Sequence, residues 1–287
     1  MKKLRCAIVL VCVFVFGIAA HGDPFAVEVV EYGGLGDSPY NDPSTVLGRP
    51  TISIFDSWAG PAGADVGISM VYGTWTPDTV LSLNSGGYVT VRFDGPVYND
   101  PLNAYGMDFI VFGNSFFPGK SGWVDADTDM AAYRINSTGG VFGSAEPLVV
   151  SVSQDGTTWY TFTSKTAGEY WPTQAFAQWD AVNGQWDPDS IADFTRPMNP
   201  DLLPISFGNL TVAEALLLYD GSAGGTAFDI GELGLDWVEY VRVEGWGNID
   251  GFARVSADNV NPVPEPASAA VLLIGIGFFA RRRLLRR

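Results

Sequence analysis

Two apolar runs, residues 7–20 and 267–280, sit at opposite ends of the chain and confine the folding problem to the residues between them. Each is fourteen residues long, about 21 Å as a helix and short of the ~30 Å hydrocarbon core of a bilayer. The first run follows Lys2, Lys3 and Arg5 and closes on Ala20, His21 and Gly22. Positive charge, apolar stretch and small residues in that order read as a secretory signal, with cleavage expected before Asp23. Val11 stands before Cys12, where a lipoprotein signal needs a small residue. The expected divisions are a signal peptide over 1–22, a folded domain over 23–261 and a C-terminal segment over 262–287, with a helix in each terminal run.

What remains after the ends are removed is chemically restricted. Cys6 and Cys12 both lie in the signal, and the only histidine, His21, lies at its edge. The domain therefore lacks disulfides, Ser-His or Cys-His catalysis and conventional zinc coordination. It holds eight basic residues against all 32 acidic ones, a net charge of −24. Such a surface repels nucleic acid and anionic lipid and attracts divalent cations. A hydrophobic content of 47% with 13% aromatics is ample for a core, so the acidity does not mean disorder.

The body reads as all-β. Residues 88–93 alternate after a Gly86-Gly87 turn, residues 107–112 form a buried apolar strand, and residues 148–153 lead through Gln154, Asp155 and Gly156 into a returning strand at 158–162. Residues 237–243 alternate again, with Val238, Tyr240 and Arg242 expected on one face and Trp237, Val241 and Val243 on the other. Short strands between Gly, Pro, Asn and Asp turns predict an antiparallel β-sandwich with long loops. One short helix is expected over residues 213–219, where Thr211 and Glu214 form a capping box ahead of Gly221. Residues 23–80 and 169–210 are loop-rich.

At the C-terminus, Val263, Pro264, Glu265 and Pro266 precede the second apolar run, and Arg281, Arg282 and Arg283 follow it. These three parts resemble the PEP-CTERM sorting signal of bacterial surface proteins. A marginal helix beside a rigid, exposed Pro-Glu-Pro suits recognition by a membrane-embedded processing enzyme, and the arginines hold the C-terminus on the cytoplasmic side. The resemblance implies that an exosortase is this partner and that the host makes exopolysaccharide. The chain would be anchored in the inner membrane through its C-terminal helix before processing, then displayed at the cell surface or in the extracellular matrix.

The body carries a second resemblance. Gly86 and Gly87 before a strand, residues 108–114, Glu146 and Pro147 before residues 149–156, and residues 225–230 before 238–243 are similar to galactose-binding-like (discoidin-like) jelly-roll proteins of the cell surface. The resemblance implies a jelly-roll-like binding module, frequently for glycan and often with structural calcium; it establishes no ligand.

Three sets of residues are candidates for chemistry. Asp125, Asp127 and Asp129 alternate, a spacing that lets a loop wrap oxygens around calcium. This is not an EF-hand, because Met130 and Asn136 stand where that loop needs Gly and Glu. Asn114 and Glu146, with Asp229 and Asp258, match polar positions of the jelly-roll pattern and join the calcium candidates through it. Trp171, Trp179 and Trp186 sit in the irregular segment with Asp180, Asn183 and Gln185 nearby. Such rings either stack on sugar faces while the polar neighbours bind hydroxyls, or pack a long loop against itself. The expected function is a non-catalytic, glycan- or calcium-binding surface domain. The alternative is a glycosidase or polysaccharide-modifying enzyme working with carboxylates alone.

Overall fold

The computed structural model describes residues 22–51, 55–56, 66–143, 148–167 and 171–256. The expected terminal helices, the sorting motif, Glu146 and Asp258 lie outside the described residues. Among the described residues no helix is long and apolar enough to cross a membrane.

Apart from one short α-helix and a few 3-10 turns, the regular structure is β. The strands are β1 (Ala26–Leu35), β2 (Phe55–Asp56), β3 (Val66–Gly67), β4 (Leu81–Tyr98), β5 (Phe109–Phe112) and β6 (Val149–Ser153). They continue with β7 (Tyr160–Thr161), β8 (Trp179–Asp180), β9 (Gln185–Trp186), β10 (Thr226–Phe228), β11 (Trp237–Ile249) and β12 (Gly251–Arg254). A five-stranded sheet runs in the order β1-β4-β11-β6-β7 and a three-stranded sheet in the order β10-β5-β12, with antiparallel pairing throughout.

Alternation builds the larger sheet. Val89, Val91 and Phe93 on β4, Val241 and Val243 on β11, and Val150 and Val152 on β6 all face one buried layer. One sequence expectation fails here. Val238 shares that layer with Val241 and Val243, because the pairing of β11 with β4 slips between Val238 and Tyr240. Between those pairs four β4 residues, 93–96, stand against Glu239 alone, and across this irregularity Val238 and Val241 enter the same layer. The hairpin at residues 154–156 forms as expected: Asp155 accepts from the Thr157 and Thr158 amides, and Gly156 takes the left-handed conformation at φ 74°.

The continuous apolar run of β5 is explained by burial on both faces. Phe109 and Val111 enter the layer shared with the five-stranded sheet, whereas Ile110 and Phe112 pack with Ala192, Phe194 and Ala223. Helix α1 (Val212–Tyr219) starts where Thr211 accepts from the Glu214 amide and the Glu214 carboxylate accepts from the Thr211 amide. It stops at Asp220, which turns left-handed at φ 48°. Val212, Ala215 and Tyr219 on the helix pack with Phe117, Tyr133, Ile135, Phe176 and Phe207 from the loops. The loop-rich segments thus carry an apolar cluster of their own.

The two ends of the domain meet. Phe25 bridges Ala253, the Arg254 amide donates to the Pro24 carbonyl at 2.7 Å, and the Arg254 guanidinium donates to the Asp23 carbonyl at 2.6 Å.

Candidate functional site

Strands β8 and β9 form a two-stranded hairpin whose turn is tied by Asp180. Its carboxylate accepts from the amides of Val182 and Asn183 and from the Asn183 side chain, and those Asn183 bonds hold the Asp180 carboxyl below the usual carboxylate range. Trp179 pairs with Trp186 across the hairpin, and the indoles meet edge to face at 5.3 Å. Trp186 also stacks on Phe176 at 5.1 Å and is only 6% exposed. Its seat requires Gly67, since a Cβ there would lie 2.3 Å from the indole ring.

A second segment closes on this hairpin. Val124 and Met130 are buried, and the residues between them form an exposed turn. The Thr128 hydroxyl donates to the Asp125 carboxylate at 2.6 Å, and Asp129 accepts from the Ala131 amide. Between turn and hairpin lies a cleft of about 270 Å³, lined by Asp125, Thr128, Met130, Trp179, Gln185 and Trp186 among others. Its lining contains two aromatic residues, one carboxylate, one hydroxyl and one amide, and neither Lys nor Arg. Pockets for drug-sized ligands begin near 300 Å³, so this cleft suits a small group. The Trp179 indole N–H is buried without an acceptor among the described residues.

The cleft sorts the sequence candidates. Asp125, Trp179, Gln185 and Trp186 come together, although 54 residues separate Asp125 from Trp179. Trp171 does not join them; it packs on Phe207 and lines a separate apolar groove with Met198 and Leu202. Asp180 and Asn183 serve the hairpin turn and are not in the cleft wall. Asp125, Asp127 and Asp129 are all exposed, and two of the three carboxylates accept local hydrogen bonds within their own turns. Among the described residues no three acidic, His or Cys side chains converge into a group able to hold a metal. Asn114 is buried near the end of β5 and absent from the cleft wall; Asp229 caps a 3-10 turn through the Gly231 amide.

Sequence reasoning passed over Asp108. It is 1% exposed, and burial pushes its carboxyl up to about 6. One oxygen accepts from the Asp100 amide and the Asn103 side chain, the other from the Ile230 amide. These bonds fasten two loops to the start of β5, which is a structural use of a perturbed carboxyl. Trp123 was also overlooked. It stands 80% exposed two residues before Asp125, and nothing in its sequence context separates it from a buried tryptophan.

Beyond the described domain, residues 262–287 match the PEP-CTERM protein-sorting motif. This defines an exported, exosortase-sorted surface protein, anchored in the membrane before processing and displayed at the cell surface afterwards. No curated protein matches the chain.

Proposed function

We propose that the exported domain is a non-catalytic glycan-binding module, with its binding site in the cleft between the Asp125 turn and the β8–β9 hairpin. One observation carries this reading: that cleft sets Trp179, backed by the buried Trp186, beside Asp125, Thr128 and Gln185. An aromatic wall recognises the apolar face of a sugar ring, while carboxylate, hydroxyl and amide groups bind its hydroxyls. The apolar layer shared by the five- and three-stranded sheets supports a jelly-roll-like sandwich as the scaffold. Binding is favoured over hydrolysis because the cleft wall holds one carboxylate, whereas glycoside hydrolysis needs a facing pair. Surface display would then place the module against exopolysaccharide.

The test is a panel of neutral glycans titrated against the full-length chain in a detergent without a sugar headgroup. Gln185→Ala and Trp179→Ala should each weaken binding by about tenfold, the scale of one lost well-placed contact. Binding that neither substitution alters, or no binding to any neutral glycan, overturns the reading.

A further inference from the structure

We propose that the site continues out of the cleft, over the Asp125 turn, to Trp123, and that its ligand is a stretch of several residues of a neutral polysaccharide. This rests on the glycan reading above and adds the length and charge of the ligand. Trp123 is the most exposed aromatic residue among those described. Its position is not that of a slack loop. On one side the Tyr133 hydroxyl donates to the Gly122 carbonyl at 2.6 Å, and on the other Val124 is anchored in the apolar cluster beneath.

The Trp123 ring leans on Phe116 at 5.9 Å, and Phe116 in turn contacts Phe142 at 4.9 Å and Trp75 at 6.1 Å. Phe142 is itself 55% exposed. The outcome is a braced aromatic surface that leaves the Trp123 indole open to solvent. Asp125 lies two residues along and lines the cleft; two residues span at most about 7 Å. Cleft and exposed ring are therefore neighbouring stations along one turn, and a polymer can occupy both where a single sugar fills only the first.

Charge selects among polymers. The turn between the stations exposes Asp125, Asp127 and Asp129, and the cleft wall has no cation. The basic residues closest in sequence are already engaged: Lys120 with Asn209, and Arg134 with Glu214 and the Asn209 carbonyl. A uronate or sulfated chain would meet carboxylates without a counter-charge; a neutral chain meets hydrogen-bond partners and rings.

The experiment titrates full-length chain, in a detergent without a sugar headgroup, with gluco-, manno- and galacto-oligosaccharides of one to six residues and with a hexameric uronate. For at least one neutral ladder, affinity is expected to rise about tenfold or more between one and four residues. Trp123→Ala should abolish that rise and leave single-residue binding unchanged, and Trp123→Phe should restore part of it. The uronate should bind weakest. A flat ladder with measurable single-residue binding sinks the extension and leaves the cleft reading intact. So does a Trp123→Ala variant that keeps the rise, or one whose only change is loss of concentration-dependent self-association in sedimentation. Preferred binding of the uronate refutes the neutral assignment. No binding anywhere, even at one residue, removes both readings together.

Discussion

Asp108 offers a stability measurement whose sign and size follow from its surroundings. Its carboxyl is pushed from the usual 3.8 to about 6, first by burial, and the Asp229 charge adds to the shift. The folded state thus holds the proton more tightly than the unfolded chain does. The stabilisation from this group is complete below pH 3.8 and is lost as pH rises through 6. At 1.36 kcal/mol for each pH unit of displacement, the full effect is about 3 kcal/mol, of which about 2 kcal/mol falls between pH 4 and pH 7. Asp108→Asn cannot ionise. It also leaves an acceptor short, because an amide has one oxygen for the three donors of Asp100, Asn103 and Ile230; that cost, about 1–3 kcal/mol, does not depend on pH. Many other carboxylates titrate in the same window, so the useful quantity is the difference between wild type and variant, in which they cancel. Thermal melts of both full-length chains from pH 4 to pH 7 should show the advantage of the wild type shrinking by about 4–8 °C, at about 2–4 °C per kcal/mol for a domain of this size. A difference that stays constant across the range would refute the claim that Asp108 is buried at the cost of its charge.

Three further outcomes can be measured. Trp186→Ala should destabilise the domain by about 3–5 kcal/mol in denaturant melts, because its ring is buried against Phe176 and Gly67; a loss below about 1 kcal/mol would show that the ring is not part of the packed cluster. Glu265→Ala, in the sorting motif, should leave unprocessed precursor in the membrane fraction, and normal processing would point to a plain anchor. Calcium and magnesium at matched ionic strength should raise the melting temperature equally, since Asp125 and Asp129 are held within the turn by the Thr128 hydroxyl and the Ala131 amide. A selective calcium effect would require a built site.

How much of this was legible in the sequence depends on period. Strands β4 and β11 announce themselves because every second residue is apolar, and α1 because Thr211 and Glu214 mark its start. Strand β5 is readable for the opposite reason, an unbroken apolar run buried on both faces. Val238 departs from the alternation because a register irregularity leaves no compositional trace; it moves the side chain without changing the residue. The segment around Trp171, Trp179 and Trp186 has no period at all, so its rings are separated only by tertiary contacts. Trp171 packs on Phe207, while Trp186, stacked on Phe176, and Trp179, with its N–H buried, line the cleft together. The cleft itself was illegible as a unit, since its walls come from segments that share no local signal.

The meeting of the two domain ends has a mechanical consequence. With Phe25 bridged to Ala253 and Arg254 bonded to Pro24 and Asp23, the lead-in segment and the segment running to the sorting motif leave from one pole. The domain is then a pendant rather than a bead on a string: tension on the tail is not carried through the body from one end to the other. It falls first on the few bonds that clasp the two ends together, and next on β12, an edge strand held to β5 over four residue pairs. A pull on the tail would peel this hem before it reached the long β4–β11 pairing. The point that yields first under load is therefore the attachment, and the loops around the cleft can stay folded while it gives way.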